Sequence, residues 1–280
     1  MKSILAVVGD GAARPLLETA LLVAKRFNGR IVGLNTLTTE YAVVFGGEMG
    51  FSISSEVDRT LEREGQERRE AARSLFSAFM REHGVPLGPA APGDLSAEWR
   101  EESGRQNAVA GSFGRIFDLI VVERPAKLAS LAEATLEDVL FESGRAVLMA
   151  PPAAGTTIGE RVSIAWNGST ETARTVALAM PFLERAKEIE VVSVEEGMTP
   201  GPTGEELARS LSLHGLAVSA RHVQARGRTP GQAFLEEAKA FNADLLIKGA
   251  YTQSRLRQLI FGGATRHIIM EATMPVVLAH

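Results

Sequence analysis

Apolar residues in this chain fall into short unbroken runs separated by longer amphipathic stretches. Ser3 to Val8 (SILAVV) is such a run, of the kind made by a parallel strand buried on both faces. It stops at Gly9-Asp10-Gly11. The following stretch sets Leu16, Leu17, Ala20, Leu21, Ala24 and Phe27 at helical spacing before an Asn28-Gly29 stop signal. Ile31 to Leu34 reads as a second strand, and Glu56 to His83 as a long helix, charged at first and apolar later at Leu75, Phe76, Phe79 and Met80. Its charged part carries (i, i+4) pairs such as Glu64 with Arg68 on a solvated face. Ala97 to Glu101 predicts a third, edge strand, Gln106 to Phe113 a helix, Leu119 to Val122 a buried strand, Leu131 to Phe141 a helix and Ala146 to Met149 a last strand. Between Thr38 and Ser54 the pattern predicts a loop that is unusually apolar, with Tyr41, Phe45 and Phe51 among Gly46, Gly47 and Gly50. Such aromatics serve as a lid, a contact surface, or a patch folded onto the sheet edge.

Pro151 to Glu160 (PPAAGTTIGE) has linker composition. The order then repeats. Val162 to Trp166 is a strand ending at Asn167-Gly168-Ser169, Thr170 to Leu183 a helix, and Glu190 to Val194 a strand, followed by a loop from Pro200 to Gly204. Glu205 to Leu213 is a helix with Gly215 behind it, Ala217 to Val223 a strand, Thr229 to Phe241 a helix with Pro230 in its first turn, and Asp244 to Lys248 a strand. Letters repeat as well: FDLIVV (Phe117 to Val122) against ADLLIK (Ala243 to Lys248), and AVLMAP (Ala146 to Pro151) against PVVLAH (Pro275 to His280). That spacing is far longer than the roughly 20–50 residues of a solenoid repeat, so it marks duplicated domains, 1–151 and 152–280. Strands and helices that alternate in this way predict an α/β fold, two tandem doubly wound parallel-sheet domains with helices on both faces.

Composition narrows the function classes. At 280 residues, 45% hydrophobic and 23% charged, the chain has the make-up of a soluble globular protein. A formal net charge of -4 lacks the basic footprint of a nucleic-acid binder, so no nucleic-acid partner is expected. Without cysteine there is no disulfide and no thiolate chemistry, which fits a cytoplasmic location. No run of about 18 apolar residues exists to span a membrane, and Met1 to Val8 reads as a strand rather than a leader. The histidines, His83, His214, His222, His267 and His280, form no pair at helical metal spacing, and no Gly-x-Ser-x-Gly elbow or P-loop occurs. His267 beside Arg266 could reach a phosphate, as could Arg255 and Arg257, or all could be solvated surface groups. No catalytic residue is assigned.

The most informative stretch is the last, Asp244 to His280: an apolar run, Gly249, a basic loop, Gly262-Gly263, a helical segment, and the apolar run Val276 to Ala279. Glycines where a strand turns into a helix let backbone N–H groups face outward, and the helix N-terminus behind them favours phosphate. The stretch resembles the C-terminal part of the universal stress protein family, whose nucleotide-binding members carry Gly, two residues, Gly, nine residues, Gly, then Ser or Thr. Gly249 and Gly262 fall at the first and third glycine positions; Thr252 stands at the second and Gly263 at the Ser/Thr position.

The resemblance covers both halves and implies the adenine nucleotide alpha hydrolase-like fold with strand order 3-2-1-4-5, whose switch point lies between strands 1 and 4. It further implies an adenine nucleotide (ATP, with Mg on its phosphates) in the second half, held by Ala165, Asn167, Val194, Lys248, Gly249, Thr252, Gly262, Gly263, Ala264 and Thr265. Asn167 takes the place of the family's Asp and keeps a hydrogen-bonding carbonyl, Val194 is a pocket wall, and Thr265 offers the missing hydroxyl. The first half keeps Asp10 but puts Glu123 and Glu133 where the second has glycines, so it is expected not to bind phosphate. The family also implies pairing of the final strands, Ala146 to Met149 against Val276 to Ala279, as an intra-chain pseudo-dimer that could build a higher homo-oligomer. The expected role is a stress-response module with at most weak ATPase activity. Two other readings stay open: the same fold acting only through protein–protein contacts, and an enzyme built on Asp10 and the apolar loop.

Overall fold

The computed structural model describes residues 1–9, 13–37, 55–89, 91, 93–104, 106–127, 130–250 and 263–280, with side chains not described at 37, 55–62, 106 and 107. Asp10, the apolar loop of Thr38 to Ser54, Thr252 and Gly262 lie outside the described residues. The first half runs β1 (Ser3–Val7), α1 (Ala13–Phe27), β2 (Arg30–Leu37), α2 (Ser55–Glu82), β3 (Ser96–Ser103), α3 (Gln106–Phe113), β4 (Leu119–Val122), α4 (Leu131–Glu142) and β5 (Ala146–Met149). The second runs β6 (Arg161–Trp166), α5 (Thr170–Leu183), β7 (Glu188–Val194), α6 (Gly204–Ser212), β8 (Val218–Val223), α7 (Pro230–Ala240), β9 (Leu245–Gly249), α8 (Ala264–Glu271) and β10 (Val276–Ala279).

All strands join one sheet in the order β3-β2-β1-β4-β5-β10-β9-β6-β7-β8, so each half has the order 3-2-1-4-5. Within a half every pairing is parallel. The halves meet through β5 and β10, which pair antiparallel at Met149↔Val276, Leu148↔Val277 and Val147↔Leu278. Apolar side chains of alternate strand residues feed two cores. One lies under α1, α2, α5 and α6, the other under α3, α4, α7 and α8, and both run unbroken from one half into the other.

The halves also touch off the sheet. Phe27 at the end of α1 meets Phe182 of α5 edge-on, ring centroids 5.1 Å apart, and the Arg26 guanidinium donates to Gly159 O at 2.9 Å. Linker-like as its composition is, 151–160 sends Ile158 into the core at 2% exposure. Across the opposite face Arg124 donates to Met270 O near the end of α8, and Phe141 of α4 lies against the His280 ring, centroids 4.4 Å apart. No described helix is long and apolar enough to cross a membrane.

Three elements differ from the pattern. β2 and β3 run on to Leu37 and Ser103 through polar residues, because ladder hydrogen bonds come from the backbone. Gly204, expected in a loop, is the first residue of α6: Thr203 and Glu206 form a capping box around it. A Cβ on Gly204 would stand 2.5 Å from Ser193 Oγ, so glycine lets this helix start lie close on β7. β9 runs one residue further than its apolar run, with Gly249 paired to Ala279.

Phe182→Ala would open a cavity at the contact with Phe27. It should cost about 3–5 kcal/mol and, since both cores cross the junction, the chain should still unfold in one transition in guanidinium. Two separate transitions in the wild type would show halves that fold independently.

Candidate ligand crevice at the switch point

In the second half the chain leaves β6 toward β7 on one side while β9 lies on the other. The crevice at their carboxyl ends is where a doubly wound sheet leaves room for a ligand. Three segments reach it: the turn Asn167 to Ser169, the end of β9, and the start of α8.

The turn is tightly made. Gly168 has φ +79°, the left-handed region that glycine tolerates. Asn167 Oδ1 accepts from Thr172 Oγ1 at 2.6 Å and from Ser169 N at 3.2 Å, while Ser169, the N-cap of α5, accepts from Thr172 N at 3.3 Å. The side-chain carbonyl that the sequence offers to a ligand thus already serves the head of α5. The main-chain carbonyl of Asn167 is taken as well, by Thr199 N and Oγ1 at 2.8 and 2.9 Å. Trp166 Nε1 donates to Pro202 O at 2.8 Å, so 199–202 folds over this turn. Ala165 and Val194 are fully buried and belong to the core.

At the end of β9 a Cβ on Gly249 would stand 2.4 Å from Thr172 N. Packing of α5 therefore requires this glycine whatever the crevice holds. Beside it Lys248 is 3% exposed, with Nζ donating to Gly249 O at 2.8 Å. Burial pushes its pKa down to about 8, and the charge of Glu171 pulls the other way. Glu171, in the first turn of α5, was not singled out by sequence reasoning; its only signal was an acid in a helix's first turn. Burial pushes its carboxyl up, but hydrogen bonds from its own N–H, Thr170 and Ser169, together with the charge of His280, hold it below the usual range.

Among the described residues nothing caps the start of α8. Gly263 is its N-cap, exposed and extended, with no side chain to cap the helix and nothing within 4 Å of an added Cβ. The first N–H groups of a helix have no partner inside it, and the dipole makes that end positive. Ala264 and Thr265, half-buried, follow in the first turn. Gly231 of α7 lets α8 begin here: a Cβ on it would stand 2.9 Å from Ala264 O.

Residues 160–280 match the model of the universal stress protein family. The second half is a universal stress protein domain. The fold extends the likeness to the whole chain: a universal stress protein from Archaeoglobus fulgidus DSM 4304 is 17% identical, with 99% of this chain and 95% of that one covered at a TM-score of 0.70. A protein of unknown function from Pseudomonas aeruginosa PAO1 is 15% identical, covering 100% of this chain and 92% of that one at a TM-score of 0.59. No curated protein matches the chain at a significant level.

Strand registers align the first half with the universal stress protein domain. Ile4 pairs Leu119 as Val162 pairs Leu245, which sets Gly9, and not Asp10, at the place of Asn167. The sequence expectation for Asp10 is off by one residue because the strand ladder, rather than the Gly-Asp-Gly letters, fixes the alignment. The same register puts Val122 at the place of Lys248 and Glu123 at that of Gly249. α4 begins about two turns earlier than α8 by this count, so Glu133 lies inside it rather than before it. Its N-terminus is closed: Ser130 accepts from Glu133 N at 3.2 Å.

Lys248 gives a stability test. Its folded pKa, about 8, lies below the ordinary 10.5, so between those values the unfolded chain binds more protons and stability rises with pH; below about 8 the full penalty is felt. Lys248→Met should raise stability by about 1–3 kcal/mol at pH 7 and by much less at pH 10.5, measured in paired denaturant melts. An equal gain at both pH values would trace the effect to packing.

Proposed function

We propose that the second half binds an adenine nucleotide, ATP with Mg carried on its phosphates, and that the chain works as a cytoplasmic stress-response module. The observation that carries this reading is the contrast between equivalent helix starts: α4 is closed by Ser130, whereas α8 opens at an exposed glycine. Free N–H groups and the positive end of a helix suit phosphate. Family membership supports both the nucleotide and the stress role. Ala165, Asn167, Val194, Lys248, Gly249, Thr252, Gly262, Gly263, Ala264 and Thr265 would form the site. Since the Asn167 oxygen already accepts from Thr172, the amide nitrogen of Asn167 is the group left for the ligand.

That occupied oxygen also favours a second reading, in which the domain has lost its ligand and acts through protein contacts. Mass spectrometry of the protein denatured after purification separates the two: a released adenine nucleotide supports the first, and no ATP binding at millimolar concentration supports the second. Glu123 and Glu133 in the first half limit the expected stoichiometry to one nucleotide per chain.

Gly263→Asp should act in opposite directions on stability and binding. An aspartate at this N-cap satisfies the free N–H groups and raises stability by about 0.5–1 kcal/mol. The same carboxylate occupies the phosphate position and should abolish ATP binding, read by calorimetry beside a thermal melt. ATP affinity unchanged in this variant would remove α8 from the site.

A further inference from the structure

Two charged side chains are buried among the described residues, Glu190 and Lys248. Their situations differ. Glu190 on β7 is met by Arg221 at 3.1 Å. Lys248 makes its described hydrogen bond to a neutral carbonyl, Gly249 O. An ammonium has three N–H groups to place, and a buried charge is costly unless an opposite charge answers it.

Among the described residues the surroundings do not supply that charge at contact. The flanking strands put Ala165 and Leu278 beside Lys248. Glu171 of α5 is the charged group that acts on it among the described residues, and it does so from a distance, since the Lys248 ammonium donates to Gly249 O. Glu171 is instead held at the head of α5, where its Oε1 takes the Thr170 hydroxyl at 3.1 Å. The carboxyl end of β9 thus holds a buried cation that no carboxylate meets at contact distance among the described residues. In the first half Val122 fills the Lys248 position.

We propose that Lys248 is the specificity-determining cation of the second half's crevice: its ammonium, lodged against Gly249 O at the end of β9, turns to the phosphate of the entering ligand. This rests on the nucleotide reading above and deepens it, since it makes the anionic group the part of the ligand that is selected. A charge-assisted bond to phosphate is stronger than one to a neutral carbonyl. With its pKa at about 8 in the free protein, Lys248 takes up a proton as the anion arrives.

Calorimetry at pH 8 in two buffers of different ionisation heat tests this, with ATP, inorganic triphosphate and adenosine as probes on wild type and Lys248→Met. The expected result is uptake of about half a proton per ATP, an ATP affinity falling about tenfold between pH 7 and pH 9, and a loss of both dependences in the variant. Adenosine, uncharged, should bind the two proteins alike. Wild-type affinity and pH profile for ATP in Lys248→Met would overturn the assignment. If wild type binds no adenosine and no ATP, the nucleotide reading fails; triphosphate binding that vanishes in the variant would then still uphold Lys248 as an anion site, and its absence would overturn both.

Discussion

The antiparallel ladder between β5 and β10 is the contact on which the rest of the structure depends. Its residues are buried, and without it each half would present an apolar strand edge to solvent, an open template for aggregation. By joining two edges the ladder makes one sheet from two. It then places helices of both halves side by side on each face, so that Phe27 finds Phe182 and both cores extend across the junction.

The ladder also sets what surrounds the crevice. β10 lies between β5 and β9, so the end of β9 is one strand away from the first half. Arg124 reaches over to a carbonyl near the end of α8, the end where a cation is favoured by the helix dipole. His280 lies on Phe141 and turns Nδ1 to Ala250 O at 3.2 Å. The first half thus touches the second at both ends of this region: Arg124 at the far end of α8, and Phe141 on His280 beside the end of β9.

Much of this was legible in the sequence because buried parallel strands read as continuous apolar runs. LIVV, AVLM and VVLA have the bounds their letters suggest, and the repeated letters announced the duplication. Features set by distant partners were not legible. Lys248 reads as the polar end of an apolar run, and its burial depends on β6 and β10 lying to either side. Asn167 looks like a ligand-binding carbonyl until Thr172, five residues on, is seen to occupy it. Gly249 fits a phosphate motif, yet the approach of α5 alone would demand it. Gly204 looked like loop because glycine disfavours helices, while here its missing side chain lets the helix approach Ser193.

Fusion of the halves changes what the crevice can contain. In a symmetric dimer of identical chains every residue appears twice, once on each side of the axis, so a buried lysine would burden both subunits. In this chain the ladder relates the halves by an approximate two-fold while covalent linkage lets their letters diverge, and the place that Lys248 takes in one half is taken by Val122 in the other. The penalty is carried once. A duplicated chain of this type can therefore hold in one half a group too destabilising for both subunits of its symmetric counterpart.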